Sequence, residues 1–227
     1  MNEKLAAFLS TSRRPADFFA VSRALFLERD RKKLTPDEKI TPLADLVRTT
    51  VPWIDQVKDP INALSALEIE IYLRNTLLRD TDNMGMANSL EIRGPFLDHR
   101  LVERVATLRG TQKISPSINK PLLANTLGKN LPRKSMQRKK EGFSFAWDAL
   151  LEGPLKNQVR SIFSSDFGGL WYELGIDRAA AEELYQSYAR KKTPLVWTQI
   201  WALYTLASWL QTHRSRASES NRVKSLA

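Results

Sequence analysis

Apolar residues recur every three or four positions along most of the chain, a spacing that predicts amphipathic helices. The first such segment covers residues 16–29, where Phe18, Val21 and Leu25 lie on one side. The group Thr35-Pro36-Asp37-Glu38 has the composition of a helix start, with Thr35 as N-cap. No long alternation of apolar and polar residues indicates a β-strand, so the fold is predicted to be mainly α.

The middle and C-terminal parts of the chain carry further helical patterns. The strongest covers Leu64–Arg79 and has four apolar residues on one side: Leu64, Leu67, Ile71 and Leu78. Pro121–Leu127 and Trp171–Ala189 predict two more helices, whereas Gly110–Ser117 has the composition of a loop. Together the patterns predict a single helical domain over residues 1–212 and a polar tail over residues 213–227.

The stretch Thr193–Thr212 contains no charged residue and matches the roughly 20 residues that a membrane-spanning helix needs. Its polar residues and its evenly distributed Trp side chains are atypical of a span, because Trp favours the two interfaces. We expect a buried or half-buried helix. The N-terminus has no long apolar segment typical of a secretory signal.

Composition narrows the classes of function. The chain has 227 residues, 35 Lys+Arg against 25 Asp+Glu, a net charge of +10 and a hydrophobic fraction of 42%, which is enough to bury a core. It contains no Cys, which excludes disulfides, thiolate zinc sites and cysteine nucleophiles, and fits a cytoplasmic protein. The positive charge favours an anionic partner such as nucleic acid or a phosphate-bearing ligand.

The segment from Tyr72 to Glu103 concentrates candidate functional residues. Glu91 and Arg93 alternate with apolar residues, so both charged side chains point to one side if the backbone is extended. Structural roles are equally open from the residues alone: Asp82 as an N-cap, Glu91 and Arg93 as an ion pair, and Asp98 as the cap of a following helix.

Two blocks in this part of the chain carry a family resemblance. The first consists of Tyr72-Leu73, Leu77-Leu78, Asp82, Gly85-Met86-Ala87, Ser89-Leu90-Glu91, Arg93 and Pro95 through Glu103. The second consists of Leu131-Pro132, Arg138, Lys140 and Gly142-Phe143. In this order they resemble the C-terminal part of the synthetase domain of glutamine-hydrolysing asparagine synthetases, over about residues 60–212.

The resemblance implies the helical C-terminal portion of an α/β adenylating synthetase domain. Complete members of that amidotransferase family begin with the nucleophilic Cys of a glutaminase domain and carry a Ser-Gly-Gly-x-Asp-Ser loop for pyrophosphate and a Gly-Ala-Asp-Glu segment for magnesium. None of these occurs in the sequence. We therefore expect the chain to be inactive alone and to need the missing nucleotide-binding half, or a glutaminase-bearing chain, as its partner.

The implied reaction makes an amide in two steps. ATP activates the β-carboxylate of aspartate as an acyl-adenylate, and ammonia derived from glutamine then attacks it. The resemblance assigns Lys140 to the phosphate charge, with Arg138 beside it, and Glu91 to the base that takes a proton from the attacking nitrogen. Asp82 and Arg93 are expected to orient the substrate. ATP and Mg²⁺ are cofactors of the complete enzyme, whereas this chain alone is expected to bind neither tightly and to contain no metal site.

Two other functions compete with this one. A degenerate, non-catalytic helical module of the same family would keep the helices for protein binding. A basic helical nucleic-acid-binding domain would explain the charge, but it predicts basic residues interleaved with exposed aromatic ones or a recognition helix, and no persuasive example occurs. The stretch Arg104–Lys140 has no acidic residue and ends at the lysine assigned to the phosphates. We therefore expect ATP and an aspartate-like carboxylate as ligands, no nucleic-acid partner and no membrane span.

Overall fold

The computed structural model describes residues 3–127, 130, 146–164, 169–190 and 196–225. Most of these residues are helical and no β-strand occurs among them, which confirms the mainly α fold. The chain divides into two compact units. The first is formed by Met1–Ala24 and Thr41–Glu141, and the second by Leu25–Ile40 and Gly142–Ala227.

The first unit contains the segment from Tyr72 to Glu103. Its α-helices are α1 (Glu3–Leu9), α2 (Pro15–Arg23), α4 (Leu43–Thr50), α5 (Pro60–Leu67), α6 (Arg79–Ala87), α7 (His99–Ala106), α8 (Gly110–Lys113) and α9 (Pro121–Leu127). A π-helix, Glu68–Leu78, joins α5 to α6. Short 3₁₀ helices cover Ile54–Gln56 and Pro95–Leu97.

The core of the first unit lies where α2 packs against α4 and α5. Its buried residues are Ala16, Phe19, Ala20, Val47, Val51, Ile54, Ala63 and Leu67. Of the predicted apolar side of the first helix, Val21 is buried, whereas Phe18 and Leu25 are 47% and 53% exposed, so that side was predicted wrongly in part. The helix ends at Arg23, and the small residues Ala16 and Ala20 face the core beside Phe19 because they let α2 approach its neighbours closely.

The second unit contains α3 (Glu28–Leu34), α10 (Trp147–Glu152), α11 (Lys156–Ser164), α12 (Leu170–Glu173), α13 (Arg178–Ala189) and α14 (Val196–Ser225). Phe163, Trp171 and Ile200 are fully buried in its core. The Trp171 indole donates to the carbonyl of Ile162 at 3.1 Å, so its polar atom is satisfied. The backbone amide of Asp177 donates to the carbonyl of Leu34, which ties α3 to this unit.

The uncharged stretch near the C-terminus is a core helix. Ile200, Leu203 and Ala207 on α14 are buried, which confirms the expected buried or half-buried helix. Within the described part of the chain, no helix has the combination of length and apolar character that crossing a bilayer requires. Helix α14 continues to Ser225, through the segment predicted as a polar tail.

Three other predicted elements differ from the structure. Thr35 ends α3 instead of starting a helix, because Pro36 follows the C-cap, where proline commonly stops a helix. Part of the predicted loop Gly110–Ser117 is the short helix α8. The helix predicted over Trp171–Ala189 breaks into α12 and α13 at Gly175, whose φ of +64° lies in the left-handed region.

Two predicted helices are confirmed. Helix α9 has the predicted bounds, Pro121–Leu127. Leu64–Arg79 is helical throughout, but its hydrogen bonds follow the π pattern from Glu68 onward. Of its predicted apolar side, Leu67 is fully buried while Leu78 is 38% exposed.

Candidate functional site

The π-helix leads directly into the segment that carries the candidate residues. Arg23 of α2 contacts the first turns of this π-helix. The Arg23 Nε donates to Glu68 Oε1 at 3.0 Å, and the guanidinium lies 3.7 Å from the centroid of the Tyr72 ring. Long π-helices are rare and frequently occur at functional sites.

Helix α6 ends in a Schellman motif. The amide of Leu90 donates to the carbonyl of Gly85 at 2.9 Å, and the amide of Ser89 donates to the carbonyl of Met86 at 3.0 Å. Ser89 occupies the left-handed position with φ of +57°. A residue other than glycine rarely adopts this conformation, and such strain concentrates at functional sites.

Gly85 allows the chain after the turn to lie against α6. A Cβ atom at this position would lie 2.9 Å from the carbonyl oxygen of Leu90 and 3.2 Å from Ile92 Cδ1. The backbone of Leu90 and the side chain of Ile92 therefore occupy the space that any larger residue would need. This close approach leaves Glu91 and Arg93 on the opposite side of the segment.

Glu91 and Arg93 form an ion pair in solvent. Arg93 Nε donates to Glu91 Oε1 at 2.9 Å, which agrees with the shared side that their alternation predicts. The two side chains are 70% and 83% exposed for Glu91 and Arg93 respectively. An ion pair with this exposure contributes little to stability. The carboxylate is therefore accessible, and its only ion-pair partner among the described residues is an exposed side chain.

Asp82 lies inside α6, which begins at Arg79, so its predicted alternative role as an N-cap is wrong. Its side chain is exposed. Among the described residues it forms neither a hydrogen bond nor an ion pair with Glu91 or Arg93. Among the described residues the structure thus pairs Glu91 with Arg93 and shows no bond from either to Asp82.

Asp98 caps α7, as one of the sequence alternatives predicted. Its Oδ1 accepts from the backbone amide of Arg100 at 2.9 Å, and its Oδ2 accepts from Arg100 Nη2 at 2.8 Å. The side chain and backbone of Arg100 together lower the pKa of the Asp98 carboxyl below its usual value. His99 is the first residue of the helix, which fits a structural role for this part of the segment.

The second sequence block lies outside the described residues. Lys140 and Arg138, with the neighbouring Gly142 and Phe143, therefore remain predictions from the sequence. Among the described residues, no group of three His, Asp or Glu side chains converges as a metal site. Glu91 is engaged by Arg93, so the described residues do not form a cradle that fits Mg²⁺.

A clamp around Asp59 joins the start of α5 to the start of α8, and sequence reasoning missed it. Asp59 Oδ1 accepts from the amides of Ile61 and Asn62 at 2.9 and 3.1 Å, and Oδ2 accepts from the amide of Gly110 at 2.8 Å. These bonds to Gly110 and Asn62, in that order of importance, lower the pKa of the Asp59 carboxyl. The pair Asp59-Pro60 was a signal, because Asp at N-cap followed by Pro is typical of a helix start.

The chain is similar to proteins of one family. A profile of that family, described as asparagine synthase, matches residues 6–211, a range that begins earlier than the two sequence blocks indicate. The chain is 31% identical over 102 residues to asparagine synthetase (glutamine-hydrolyzing) 1 of Bacillus subtilis. The matched region is 45% of this chain and 16% of that protein. The chain is also 33% identical over 85 residues to a putative asparagine synthetase (glutamine-hydrolyzing) of Mycobacterium tuberculosis. That region is 37% of this chain and 13% of that protein.

A further relative is asparagine synthetase (glutamine-hydrolyzing) 3 of Bacillus subtilis, at 37% identity over 73 residues, 32% of this chain and 12% of that protein. The matched region thus spans about a sixth or less of the length of these curated relatives. No solved structure matches the chain.

Proposed function

The chain belongs to the asparagine synthase family, and we propose that it supplies the helical C-terminal portion of an ATP-dependent amide ligase. The proposed reaction activates an aspartate-like carboxylate as an acyl-adenylate and releases pyrophosphate. Ammonia derived from glutamine then attacks the activated carbonyl and expels AMP. The complete reaction requires a nucleotide-binding half and a source of ammonia, which we assign to a partner polypeptide or to further sequence of the same protein.

The observation that best supports this proposal is the exposed carboxylate of Glu91. Glu91 lies just after the end of α6, where Ser89 adopts a left-handed conformation and the backbone of Leu90 lies close to Gly85. Backbone strain of this kind costs about 1–3 kcal/mol, and an exposed ion pair does not offset it. Presentation of Glu91 to a reactant explains the arrangement better than stability does.

In this proposal Glu91 is the base of the second step. Its carboxylate takes a proton from the nitrogen that attacks the acyl-adenylate, an effect typically worth about 10²–10⁴-fold in rate. Arg93 holds the carboxylate in place until the substrate enters, and Asp82 helps to orient the substrate. Lys140 and Arg138 face the phosphates, where a fixed cation stabilises the charge that develops during adenylation.

Magnesium, which accompanies ATP in this family, would screen the phosphate charge when bound. Because the described residues do not form a cradle for it, we assign its ligands to the nucleotide-binding half. The contribution of this chain is then the base, the substrate-orienting side chains and the basic segment that ends at Lys140.

An exchange assay tests the proposal. The purified chain alone should show no aspartate-dependent ATP–pyrophosphate exchange, and exchange should appear when a polypeptide with the Ser-Gly-Gly-x-Asp-Ser loop is added. In the reconstituted enzyme Lys140→Ala should abolish exchange, whereas the control Lys32→Ala on the exposed side of α3 should leave it unchanged. Exchange by the chain alone, or normal exchange by Lys140→Ala, would contradict the proposal.

A non-catalytic binding module of the same family is the second candidate. It is favoured by the exposure of large apolar side chains around the first block, with Met84, Leu90 and Phe96 at 71%, 60% and 62%. The same reconstitution separates the two functions. A stable complex with no exchange over a panel of carboxylates would favour the binding module.

A further inference from the structure

The first unit contains an apolar groove of about 510 Å³ that the proposed reaction does not use. One wall is the side of α5 and the π-helix that carries Ala66 and Ile69. A second wall is the side of α7 that carries Val102 and Val105, and the third is α9 with Leu122. The groove thus lies between helical walls from three parts of the chain, all within one unit.

Helix α7 shows that no described element covers the groove. This helix is strongly amphipathic, yet none of its residues is buried. Its apolar residues Leu101, Val102 and Val105 line the groove, and Leu101 remains 42% exposed. Helical stability in proteins comes mainly from burying such an apolar side against another element. One further helix packed along the groove would supply that burial, as the fourth helix does in a four-helix bundle.

The groove is formed before any partner arrives. The Asn62 side chain on α5 donates from Nδ2 to the carbonyl of Leu108 at 3.1 Å, just beyond the end of α7. Asp59 binds the amide of Gly110 at the same connection. A Cβ atom on Gly110 would lie 2.3 Å from Asp59 Oδ1 and 2.5 Å from Ile61 Cβ. The backbone of Gly110 is therefore packed too closely against α5 to accommodate a side chain. A pre-formed site binds with less ordering cost than a flexible one.

The polar groups of the groove favour a helix over a small molecule. Ser65 Oγ donates to the carbonyl of Ile61 at 2.8 Å, and Thr126 Oγ1 donates to the carbonyl of Leu122 at 2.8 Å. Asn62 Nδ2 likewise donates to the carbonyl of Leu108, and the buried Asn62 Oδ1 is the one acceptor without a hydrogen-bond partner among the described residues. Pockets for small molecules orient their ligand with a few precisely placed polar groups, whereas these donors are already used locally. A continuous apolar stripe is therefore the better occupant.

The charge around the groove specifies the flank of that occupant. Lys113 lines the groove and is half-buried. Burial lowers the pKa of Lys113, while the nearby Asp59 carboxylate acts in the opposite direction. Among the described residues that line the groove, Lys113 carries the only charge. Acidic side chains beside an apolar stripe complement this edge, and they speed association as well as setting orientation.

We propose that the groove binds an amphipathic helix with an acidic flank, contributed by a partner polypeptide. The apolar stripe of that helix fills the space between α5, α7 and α9, and its carboxylates lie beside Lys113. This is the helix-in-groove mode of recognition, with anchors at positions i, i+3, i+4 and i+7. The proposal does not depend on the synthetase reaction.

A synthetic peptide tests it. The probe is a fluorescein-labelled helical peptide with Leu at i, i+3, i+4 and i+7 and Glu on both flanks, compared with a scrambled peptide of the same composition and with a peptide carrying Lys in place of Glu. Fluorescence anisotropy with the full chain should show saturable binding of the acidic helix alone. Lys113→Glu should weaken it by about tenfold or more, and added salt should weaken it as well.

A matched pair of variants locates the binding site. Leu101→Glu, inside the groove, should abolish binding, whereas Leu46→Glu on α4 should not change it. The two side chains are 42% and 44% exposed, so both substitutions are equally tolerable to folding, which circular dichroism checks. Equal binding of the scrambled peptide, or full binding by Leu101→Glu, would overturn the proposal. A dimer of the chain that Leu101→Glu dissociates in sedimentation would overturn it too, because the occupant would then be a second copy.

Discussion

Two regions of the first unit hold a carboxylate in opposite ways. Asp59 has both oxygens engaged by backbone amides, from Ile61 and Asn62 on one oxygen and from Gly110 on the other. Glu91 is 70% exposed, and within the described part of the chain its ion-pair partner is the side chain of Arg93. Backbone donors cannot leave, whereas an arginine side chain can rotate away. The clamp is therefore built for stability, and the Glu91 segment is built to exchange partners.

The largest expected effect concerns activity. In the reconstituted enzyme, Glu91→Gln should slow amide formation by about 10²–10⁴-fold and leave ATP–pyrophosphate exchange nearly unchanged, because the base acts only in the second step. The free energy of unfolding should change by less than about 0.5 kcal/mol. Separate measurement of the two steps and of urea unfolding checks all three statements.

Glu70→Gln is the matched control for that variant. Glu70 also forms an exposed ion pair, with Arg74 at 3.4 Å, but it lies on the π-helix, before the Glu91 segment. It should leave both steps intact. If Glu91→Gln reduced exchange and amide formation equally, Glu91 would act in adenylation or substrate binding, and its assignment as the base would be wrong.

The next largest expected effect concerns the stability of the Asp59 clamp and not activity. Gly110→Ala should destabilise the first unit by about 1–3 kcal/mol, since its Cβ would overlap Asp59 Oδ1 and Ile61 Cβ. Gly94→Ala is the control, because the nearest atom to its Cβ is Leu97 Cδ1 at 3.1 Å, the end of a flexible side chain. Denaturant unfolding of both variants checks the difference. Equal stability of the two would show that the clamp can relax.

These two regions also differ in how far their sequence predicts them. The alternation of Glu91 and Arg93 with apolar residues predicts their shared side, and the Asp98 cap follows from local composition. Both depend on neighbours within a few residues. The clamp joins Asp59 to Gly110, which are far apart in the chain, so no local pattern contains it. The same reason explains why the groove was not predicted.

Two helix boundaries were predicted wrongly, one for a local reason and one beside a contact from a distant helix. Thr35-Pro36 has the composition of a helix start, yet Thr35 ends α3. The π-helix begins at Glu68, where Arg23 of a distant helix binds the chain. The roles of Lys140 and Arg138 rest on the family resemblance alone, because those residues lie outside the described part of the chain.

A smaller effect should appear in acid. The folded pKa of Asp59 lies below its unfolded value of about 3.9, so its contribution to stability is complete above that value and is lost as the pH falls through the folded pKa. Asp59→Asn should lower stability at about pH 5 and differ less from the parent chain at about pH 3. An Asn side chain offers one acceptor, whereas Asp59 uses both oxygens.

Asp17 is a second carboxylate that makes the stability of the chain sensitive to acid. Burial raises the pKa of this carboxyl, but hydrogen bonds from Ser12 and the Arg14 amide, with the charge of Arg48, outweigh burial and lower it overall. The Asp59→Asn variant should therefore keep part of the acid sensitivity. Denaturant midpoints of both proteins at the two pH values check this. A constant difference between them would exclude Asp59 as a titrating contributor.

The smallest effect decides what the Glu91–Arg93 pair is for. If the pair is structural, Arg93→Ala should destabilise the chain, and a double-mutant cycle with Glu91→Ala should give a coupling free energy well above 0.5 kcal/mol. With side chains 70% and 83% exposed, we expect a coupling of about 0.5 kcal/mol or less. A pair that contributes so little is free to open for a substrate, and in the reconstituted enzyme Arg93→Ala should then raise the substrate KM more than it lowers kcat. A large coupling free energy would return both residues to a structural role.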